Sequence, residues 1–541
     1  MQTWWQEKTV YQIYPMSFCD SNGDGVGDIP GIISKLPYLK SLGVGLLWLS
    51  PVYRSPGEDN GYDISDYTDI DPKFGTLRDM DRLIAEAKKL GLGIVMDLVI
   101  NHTSKEHEWF QKSRRREAPY TDFYYWRDGR GKRPPNNWTG FFGGSCWTFD
   151  TVRGQYYLHL FAKGQPDLNY HTPAVIEAVE KVMDFWLARG VAGFRCDVIT
   201  LLWKDSLKNG FPKYILTGSE RYMNRPGCHA LLQRFYRDVL SKYDCFTVGE
   251  TVLISPREAQ KLTNREQPEL SMAFTFDHLG ADNFFIKWFP RKFALRRFFK
   301  SLEKWQKALS WNALVLENHD QARSVSRFGD ESPESAKAML TLLLTLRGTP
   351  FIYQGEELGM TNARFASMAD IQDVESHNID GILQKLGVSE KKRFRLMQIA
   401  SRDNARTPMQ WSDEPNAGFT TGTPWLKVNE NYTRINARME EQDPNSVLHW
   451  CKALLAYRNA SQILKEGTCR FTVKEKRWCK IERRLGRDRL YVIINWSNTP
   501  LRLPLLGKPA LSTHGTKTLN HLLQPWEAVI IEDFESKEEE P

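Results

Sequence analysis

The sequence predicts an α/β fold: a (β/α)8 TIM barrel with an inserted subdomain after strand 3 and a C-terminal antiparallel β-sandwich domain. Two observations indicate the barrel. Short apolar runs rich in β-branched residues alternate with segments of helical periodicity, which is typical of a parallel sheet. Eight such units occur in succession, and eight is the number that closes this barrel. A chain of 541 residues can hold one such barrel and smaller modules.

The predicted strands occupy the first two thirds of the chain, and helices follow them. The strands lie at 10–14, 44–50, 94–100, 191–198, 246–250, 272–276, 313–317 and 350–354. The helices lie at 31–42, 77–90, 174–189, 231–242, 256–263, 295–309 and 334–346. A last helix at about 446–459 would close the barrel.

The uneven spacing of the strands predicts the domain organisation. About 90 residues separate strands 3 and 4, far more than one loop and one helix require. The stretch 104–170 is rich in Trp, Tyr, Gly and Pro, and we expect it to form a subdomain B over the carboxyl face of the barrel. The catalytic barrel then comprises 1–103 and 171–462. From 463 to 541, short alternating runs predict the C-terminal β domain.

Composition and charge exclude several classes of protein. Lys and Arg total 73 and Asp and Glu 66, and the net charge of +7 is too mild for a nucleic-acid-binding surface. No run of about 18 apolar residues is present, and no secretory signal is visible. The eight cysteines include no Cys-x-x-Cys pair, so we expect neither a disulfide framework nor a zinc site. We therefore expect a cytoplasmic protein without nucleic-acid or membrane partners. We also expect it to be a monomer or a weak homodimer.

Ionisable side chains stand at the ends of four predicted strands. They are Asp97 and His102 at strand 3, Arg195 and Asp197 at strand 4, Glu250 at strand 5, and Glu317, His319 and Asp320 at strand 7. Because the carboxyl ends of barrel strands converge on one cleft, we expect these groups to be neighbours. Singly, each acid could instead cap a helix or pair with a cation. Four strands ending in this way at one face make that alternative weak.

This set of groups suits cleavage of a glycosidic bond. One carboxylate can trap an oxocarbenium-like centre while a carboxylic acid of raised pKa protonates the leaving oxygen. Arg195 lies two residues before Asp197 on a strand, so it points to the same side and can hold that carboxylate ionised. The 18 tryptophans also fit a sugar-binding cleft. Nothing resembles a phosphate-binding glycine loop or a Gly-x-Ser-x-Gly elbow.

The same residues carry a resemblance to a known family. The stretches 97–102, 193–198, 248–250 and 317–320 resemble the four signature regions of the α-amylase family, glycoside hydrolase family thirteen. The stretches 60–64, 165–169, 348–360 and 401–411 resemble its oligo-1,6-glucosidase branch. The similarity extends over almost the whole chain.

The resemblance implies catalytic roles for three acids. Asp197 would be the nucleophile that forms a covalent glucosyl-enzyme, and Glu250 the acid and then the base. Asp320 would stabilise the transition state by binding sugar hydroxyls. Such a double displacement retains the anomeric configuration and requires the carboxyls of Asp197 and Glu250 to be roughly 5–5.5 Å apart.

The resemblance also implies a substrate pocket for a small oligosaccharide. Asp63 and Arg402 would hold the non-reducing end of the glucose and make the enzyme exo-acting, with Arg406 as an alternative to Arg402. Tyr62 and Phe142 would stack on sugar faces, and a core position is an equal alternative for Phe142. The residues assigned to substrate binding are Asp63, Tyr62, His102, Phe142, Gln165, Arg195, Val198, His319 and Arg402.

A glycine-rich loop after the first strand has oxygen-bearing residues at alternate positions. These are Asp20, Asn22, Asp24, Val26 and Asp28. Such a loop suits a hard cation, but Gly31 stands where an EF-hand requires glutamate. The resemblance implies a structural Ca²⁺ held by these five residues, with Val26 using its carbonyl. A plain Asx-turn is the alternative.

Val198, the residue after the nucleophile, bears on linkage. In this branch valine here accompanies a preference for α-1,6 bonds, and a stiff β-branched side chain can exclude one aglycone pose. We therefore predict a retaining, exo-acting α-glucosidase that hydrolyses α-1,6 bonds at the non-reducing end of isomaltose and isomaltooligosaccharides. The chain departs from the branch at 170–172 and around 202–228, which leaves the aglycone preference open.

Several relatives and rivals remain as alternatives. One is a broader α-1,4/α-1,6-glucosidase, and another is a sucrose- or trehalose-6-phosphate-active relative. The alternating Arg/Asp loop of sucrose isomerases is not found in 277–291. A non-enzymatic scaffold would have lost the three acids and gained a membrane anchor, and a carbohydrate-binding module would not need an acid pair. The retained acids make both non-enzymatic interpretations weak.

Overall fold

A closed barrel of eight parallel strands forms the centre of the protein. The computed structural model describes residues 3–131, 133–284, 286–472 and 477–532. The barrel strands are β1 (Val10–Ile13), β2 (Leu46–Leu49), β3 (Gly93–Leu98), β4 (Gly193–Cys196), β5 (Phe246–Glu250), β6 (Met272–Phe274), β7 (Ala313–Leu314) and β8 (Thr349–Tyr353). Each strand is parallel to the next in the chain, and β8 pairs with β1. The predicted fold class is confirmed.

Helices connect the barrel strands and cover them from outside. The longer connecting helices are Leu36–Leu42, Leu77–Lys89, Pro173–Ala188, Pro226–Asp238, Pro256–Leu262, Leu295–Ala308 and Pro333–Thr345, with Val447–Ala460 after them. The shorter or peripheral helices are Ile29–Ser34, Glu108–Arg114, Ser324–Phe328, Val374–Lys385, Glu390–Ala400, Asp403–Arg406, Ala437–Gln442 and Gln462–Glu466.

Local sequence explains where these helices begin. Leu77–Lys89 starts after Thr76, which forms a reciprocal capping box with Asp79. Its buried residues recur with helical spacing, so one face lies on the barrel. These residues are Met80, Leu83, Ile84 and Ala87. The segment predicted as one helix at 31–42 is instead divided before Leu36, because Pro37 has no N–H to donate to the preceding turn.

The insertion between β3 and β4 forms a small antiparallel sheet. Its strands are Trp126–Arg127, Trp147–Asp150 and Gln155–Leu158. The sheet side chains pack together with Trp138, Val198 and Leu201, and the latter two follow β4. The insertion therefore sits on the carboxyl end of the barrel, beside the predicted nucleophile.

The C-terminal domain is antiparallel. A five-stranded sheet contains Thr468–Thr472, Trp478–Leu485, Asp488–Asn495, Leu511–Ser512 and Ala528–Glu532, and a two-stranded sheet contains Leu501–Gly507 and Leu519–Leu523. Apolar residues of both sheets form one cluster. Arg483 anchors this domain to the barrel, because its Nη1 donates to the carbonyl of Thr345 at 2.7 Å. Residues 533–541 of the predicted domain lie outside the described residues.

Apolar side chains fill the barrel below the cleft. They include Val10, Leu46, Trp48, Val95, Phe246, Val248, Phe274 and Phe351. The barrel is thus a packed core whose open end carries the polar groups. In the ranges that the structure describes, no helix is both long and apolar enough to cross a bilayer.

Candidate active site

Arg195 on β4 binds three carboxyl groups at the open end of the barrel. Its Nη1 donates to Asp97 at 2.7 Å and to Asp197 at 2.6 Å, and its Nη2 donates to Glu250 Oε2 at 2.6 Å. Strand register explains the cluster, because Arg195 lies opposite Asp97 on one side and Val248 on the other. The Arg195 side chain is only 2% exposed, so these ion pairs are poorly screened by water.

Burial changes the proton affinity of the neighbouring carboxyls. Loss of hydration raises the pKa of Glu250 to about 7 against the opposing charge of Arg195, and the negative charge of Asp197 adds to the rise. Burial also raises the pKa of Asp197 to about 7, and the charge of Asp97 adds to the rise, while Arg195 and a hydrogen bond from Glu250 lower it. Both carboxyls therefore titrate as a pair near neutral pH, where the pair can hold a single proton. With that proton on Glu250, the pair has the protonation state that a general acid and a nucleophile need.

Asp320, which follows β7, is surrounded by cationic and polar groups. Its Oδ1 accepts from Arg406 at 2.9 Å and from Arg402 at 3.3 Å. Its Oδ2 lies 3.1 Å from His319 Nε2. Burial alone would raise the pKa of Asp320, but His319, Arg402 and Arg406 hold it well below its usual range. Asp320 is therefore ionised at neutral pH, and both candidate arginines contact it.

Tyr62 and His319 form a stacked pair beside the carboxyl cluster. Their ring centroids are 5.2 Å apart and their planes differ by 4°. The Tyr62 hydroxyl donates to Asp97 Oδ2 at 3.0 Å and lies 2.7 Å from His319 Nε2. One face of Tyr62 is thus already covered by His319.

A second network surrounds His102. Its Nε2 lies 3.0 Å from the Tyr62 carbonyl and 3.2 Å from the amide nitrogen of Gln165. Its Nδ1 lies 3.2 Å from the amide nitrogen of Asn101, whose Oδ1 accepts from Lys204 Nζ at 3.0 Å. Burial lowers the pKa of His102. His102 is therefore a neutral hydrogen-bonding group within the cleft.

Arg402 binds several acids beside Asp320. Its Nε donates to Asp373 at 2.7 Å and its Nη2 to Asp59 at 2.9 Å, in addition to the contact with Asp320. The guanidinium also lies 5.5 Å from the centre of the Phe142 ring. Phe142 is half-buried and faces this cluster, so the structure places it at the cleft wall. The helix Val374–Lys385 reaches across to the insertion, where Ile382 lies against Gly143.

The structure does not bring Asp63 and Arg402 together. Both oxygens of Asp63 accept bonds from the loop before it: the Ser55 hydroxyl at 2.9 Å and the backbone N–H groups of Glu58 and Asp59 at 2.9 and 3.1 Å. Asp63 therefore shapes the loop, and Asp59 supplies the carboxylate that reaches Arg402. The sequence analysis expected Asp63 and Arg402 to hold the same glucose, and the structure brings Asp59 to Arg402 in the place where Asp63 was expected.

Four further residues of the site carry no motif that the sequence analysis used. They are Gln12, Asp59, Lys204 and Asp373. Each acts through a partner that is distant in the chain, such as Lys204 with Asp167 at 2.7 Å. Only the tertiary fold reveals such pairs.

The loop 20–28 is organised by its own side chains. Asp20 accepts backbone N–H bonds from Asn22, Gly23 and Gly25, and Asp28 accepts from the backbone of Ser21 and Gly31. Within the described residues, none of Asp20, Asp24 and Asp28 forms an ion pair, so three carboxylates share one uncompensated loop. No group of three acidic, His or Cys side chains in the described part of the chain is arranged to hold a metal. The donor chemistry, oxygen only with amide and carbonyl contributions, nevertheless fits Ca²⁺.

The residues 12–467 match the family described as alpha amylase, catalytic domain. The chain belongs to the α-amylase family. It is 48% identical to the oligo-1,6-glucosidase of Parageobacillus thermoglucosidasius over 97% of this chain and 98% of that protein. It is 44% identical to the trehalose-6-phosphate hydrolase of Escherichia coli over 86% of this chain and 85% of that protein.

Solved structures of this family have the same fold. The isomaltulose synthase of Klebsiella superposes with a TM-score of 0.95 at 40% identity, covering 98% of this chain and 99% of that one. The trehalulose synthase of Pseudomonas mesoacidophila superposes with a TM-score of 0.93 at 39% identity, covering 98% of this chain and 100% of that one. These α-amylase family relatives thus include enzymes named for different sugars.

Proposed function

We propose that the protein is a retaining, exo-acting α-glucosidase that hydrolyses α-1,6-glucosidic bonds at the non-reducing end of isomaltose and isomaltooligosaccharides. The observation that carries the proposal is Arg195, which binds Asp197 and Glu250 through its two terminal nitrogens. One guanidinium thereby holds side by side two carboxyls of raised pKa, one of which can carry a proton while the other is ionised. A double displacement requires such a pair.

In the first half of the reaction, Asp197 attacks the anomeric carbon of the terminal glucose. The bond from this carbon to the glycosidic oxygen breaks, and Glu250 transfers its proton to that oxygen. The products of this step are the free aglycone and a glucosyl ester of Asp197 with inverted configuration. Asp320, held ionised by Arg402 and Arg406, accepts hydrogen bonds from the sugar hydroxyls as positive charge develops on the ring.

In the second half, water replaces the aglycone. The ionised Glu250 removes a proton from water, and the resulting oxygen attacks the anomeric carbon of the ester. The bond to Asp197 breaks, and a second inversion restores the original configuration. Glucose is released with Asp197 ionised and Glu250 protonated, as at the start.

The exo mode follows from the cluster around Arg402. Asp59, Asp320 and Asp373 fix this guanidinium at one end of the cleft. A sugar chain can then enter only by its terminal glucose, whose hydroxyls meet the buried charged groups. Such a site discriminates strongly against other ligands, because a ligand that does not fill it leaves buried polar groups without hydrogen-bond partners.

The α-1,6 preference rests on Val198 and on the relatives named as oligo-1,6-glucosidases. Val198 lies between Asp197 and the insertion core, where its branched side chain limits the space for the aglycone. A broader α-1,4/α-1,6-glucosidase, or a hydrolase of sucrose or trehalose 6-phosphate, would use the same carboxyl pair with a different aglycone site.

Loop 20–28 is proposed as a structural Ca²⁺ site. The side chains of Asp20, Asn22, Asp24 and Asp28 and the carbonyl of Val26 would hold the ion, which would offset two of the three negative charges and stiffen the loop. The ion takes no part in bond cleavage.

The proposed setting is a reducing cytoplasm. All eight cysteines are free, and six of them are buried. This usage is typical of intracellular proteins. We further propose a monomer or weak homodimer, which light scattering of the purified protein would test.

The deciding experiment measures glucose release from isomaltose and from maltose side by side, with the anomer of the released glucose followed by NMR. We expect faster cleavage of isomaltose and initial release of α-glucose. Asp197→Ala should abolish turnover while the circular dichroism spectrum stays unchanged. Faster cleavage of maltose would overturn the linkage assignment, β-glucose would overturn the retaining mechanism, and no release from either would direct the test to sucrose and trehalose 6-phosphate.

A further inference from the structure

The ring of His319 is fixed from every side. It stacks on Tyr62 and also on Tyr14, at a centroid distance of 6.2 Å. Its Nε2 faces Tyr62 Oη at 2.7 Å and Asp320 Oδ2 at 3.1 Å. Its Nδ1 lies 2.8 Å from the side-chain nitrogen of Gln12, a buried residue of β1.

The amide of Gln12 determines which ring nitrogen carries the proton. An amide NH₂ group donates hydrogen bonds and accepts none, so Nδ1 of His319 must offer its lone pair. The same nitrogen of Gln12 donates to the Ser50 hydroxyl at 3.2 Å, which helps to orient the amide. The proton of the neutral ring is therefore on Nε2.

The hydrogen bonds of Tyr62 agree with a proton on Nε2 of His319. Its hydroxyl gives its proton to Asp97 Oδ2 at 3.0 Å, so its oxygen is free to accept from Nε2. The hydrogen bonds thus run from Gln12 to His319 and from His319 to Tyr62, and Asp320 Oδ2 lies 3.1 Å from the same ring nitrogen. If Gln12 accepted from His319 and did not donate to it, the donor and acceptor roles in the other hydrogen bonds of this chain would also have to change.

We propose that Gln12 is a positioning residue, which holds His319 as the neutral Nε2–H tautomer so that this N–H faces Tyr62 and Asp320. Its kinetic consequence rests on the proposed glucosidase function. The hydrogen-bonding assignment itself does not, because it concerns a ring that can be observed without turnover.

The charges around His319 explain why such a residue is needed. Burial lowers the pKa of His319, Asp320 raises it, and Arg195 and Arg406 lower it further. The rings packed on it, Tyr14, Tyr62 and Trp48, are uncharged at neutral pH. A second proton on Nδ1 would face the N–H of Gln12, donor against donor, and the resulting cation would neutralise the charge that Asp320 brings to the cleft.

Gln12→Glu tests the inference, because it replaces a donor by an acceptor of nearly the same shape. The readout is ¹⁵N NMR of protein labelled in its histidine rings, with the His319→Gln spectrum to assign the signal. We expect protonation at Nε2 alone in the wild type and at both nitrogens in Gln12→Glu. The kcat/KM for isomaltose should fall by about 10- to 100-fold relative to wild type at the same pH, as when a buried orienting partner is lost. The ratio of variant to wild type should recover partly as pH rises and the cation deprotonates.

Two further variants keep the test interpretable. Gln12→Met removes the donor without adding charge, so the tautomer preference should weaken without a cation forming. Gln354→Glu introduces a carboxyl just after β8, where the side-chain oxygen accepts from the Tyr14 backbone at 2.7 Å, and should leave the His319 signal unchanged.

A wild-type ring protonated at Nδ1, or unchanged ring shifts in Gln12→Glu, would overturn the inference. The wild-type spectrum alone gives this answer if Gln12→Glu does not fold. A wild type with the expected tautomer but no activity on any glucoside would instead overturn the proposed function.

Discussion

Val198 donates its backbone N–H to Oε2 of Glu250 at 3.2 Å. It does so with a φ of +34°, in the left-handed region that β-branched residues avoid. Packing against Trp138, Leu201 and Tyr222 holds this backbone in place. The residue proposed to border the aglycone is therefore also a hydrogen-bond partner of the proposed acid, so both proposed roles depend on one short segment.

Val198→Thr is expected to change linkage preference. The hydroxyl replaces a methyl at the aglycone site, and the ratio of kcat/KM for maltose over isomaltose should rise about tenfold or more. Steady-state kinetics on both disaccharides measure the ratio. p-Nitrophenyl α-glucoside serves as the control, because its aglycone presents no 1,4 or 1,6 hydroxyl. An unchanged ratio would remove Val198 from the specificity argument.

The pH dependence should report Glu250. Its carboxyl must be protonated to act as the acid, and burial raises its pKa to about 7. The kcat/KM should therefore fall as pH rises through about 7, while Asp320 stays ionised throughout. Glu250→Gln should lose at least about 10²-fold in activity on isomaltose. A profile that is flat from pH 6 to 9 would contradict the assignment of Glu250 as the acid.

The same raised pKa predicts an effect on stability. The folded state holds the Glu250 proton more tightly than the unfolded state, so its contribution is complete below the unfolded pKa and is lost as pH rises through about 7. Glu250→Gln cannot ionise and should therefore be more heat-resistant than the wild type at pH 8, with a smaller difference at pH 5. Thermal unfolding at pH 5 and at pH 8 checks the sign of this effect. The prediction is wrong if the melting temperature of Glu250→Gln, measured against wild type at the same pH, is lower at pH 8 than at pH 5.

The barrel could be predicted from sequence because its strands are continuous apolar runs and its helices have clear periodicity. The carboxyl cluster could be predicted because each member ends such a strand. The pairing of Arg402 could not, because Asp59 and Asp63 stand on one irregular loop and only its turn decides which carboxylate faces the cleft. The contact of Gln12 with His319 could not be predicted either, since a polar residue inside an apolar strand does not reveal its partner.

Asp59 and Asp63 give a matched comparison of these two roles. Asp59→Asn removes the charge that pairs with Arg402, and the KM for isomaltose should rise about 10- to 100-fold, as for a lost charged hydrogen bond. Asp63→Asn loses an acceptor for loop N–H groups, so the melting temperature should fall while the KM changes less. The reverse pattern would restore Asp63 as the substrate residue.

Lys204 should be important for stability. Its ammonium and the Asp167 carboxylate are 2.7 Å apart with side chains fully buried. Lys204→Met leaves that carboxylate uncompensated and should cost about 3–5 kcal/mol in the free energy of unfolding. Urea denaturation measures the loss. The double variant with Asp167→Asn should recover part of it, and a double variant as unstable as the sum of both single variants would contradict the pairing.

The Ca²⁺ proposal predicts a stability effect without a catalytic one. Added Ca²⁺ should raise the melting temperature of the chelator-treated wild type and leave its kcat unchanged. Asp20→Ala should melt lower and not respond to Ca²⁺, because the loop loses its central acceptor. Equal melting temperatures of wild type with Ca²⁺ and with chelator would mean that Asx-turns alone hold the loop.

Asp197 and Glu250 lie side by side on Arg195, so the proton affinity of Glu250 depends on the state of Asp197 during the proposed reaction. The charge of Asp197 is one of the causes that raise the pKa of Glu250, and that charge disappears when Asp197 becomes an ester. The proton affinity of Glu250 must then drop midway through each catalytic cycle, just after it has given its proton away. Glu250 is thus expected to stay ionised until water arrives. Hydrolysis of the ester then restores the charge of Asp197, which raises the pKa of Glu250 again so that it takes up a proton. The reaction itself resets the acid, and no moving part is needed to alternate between its two roles.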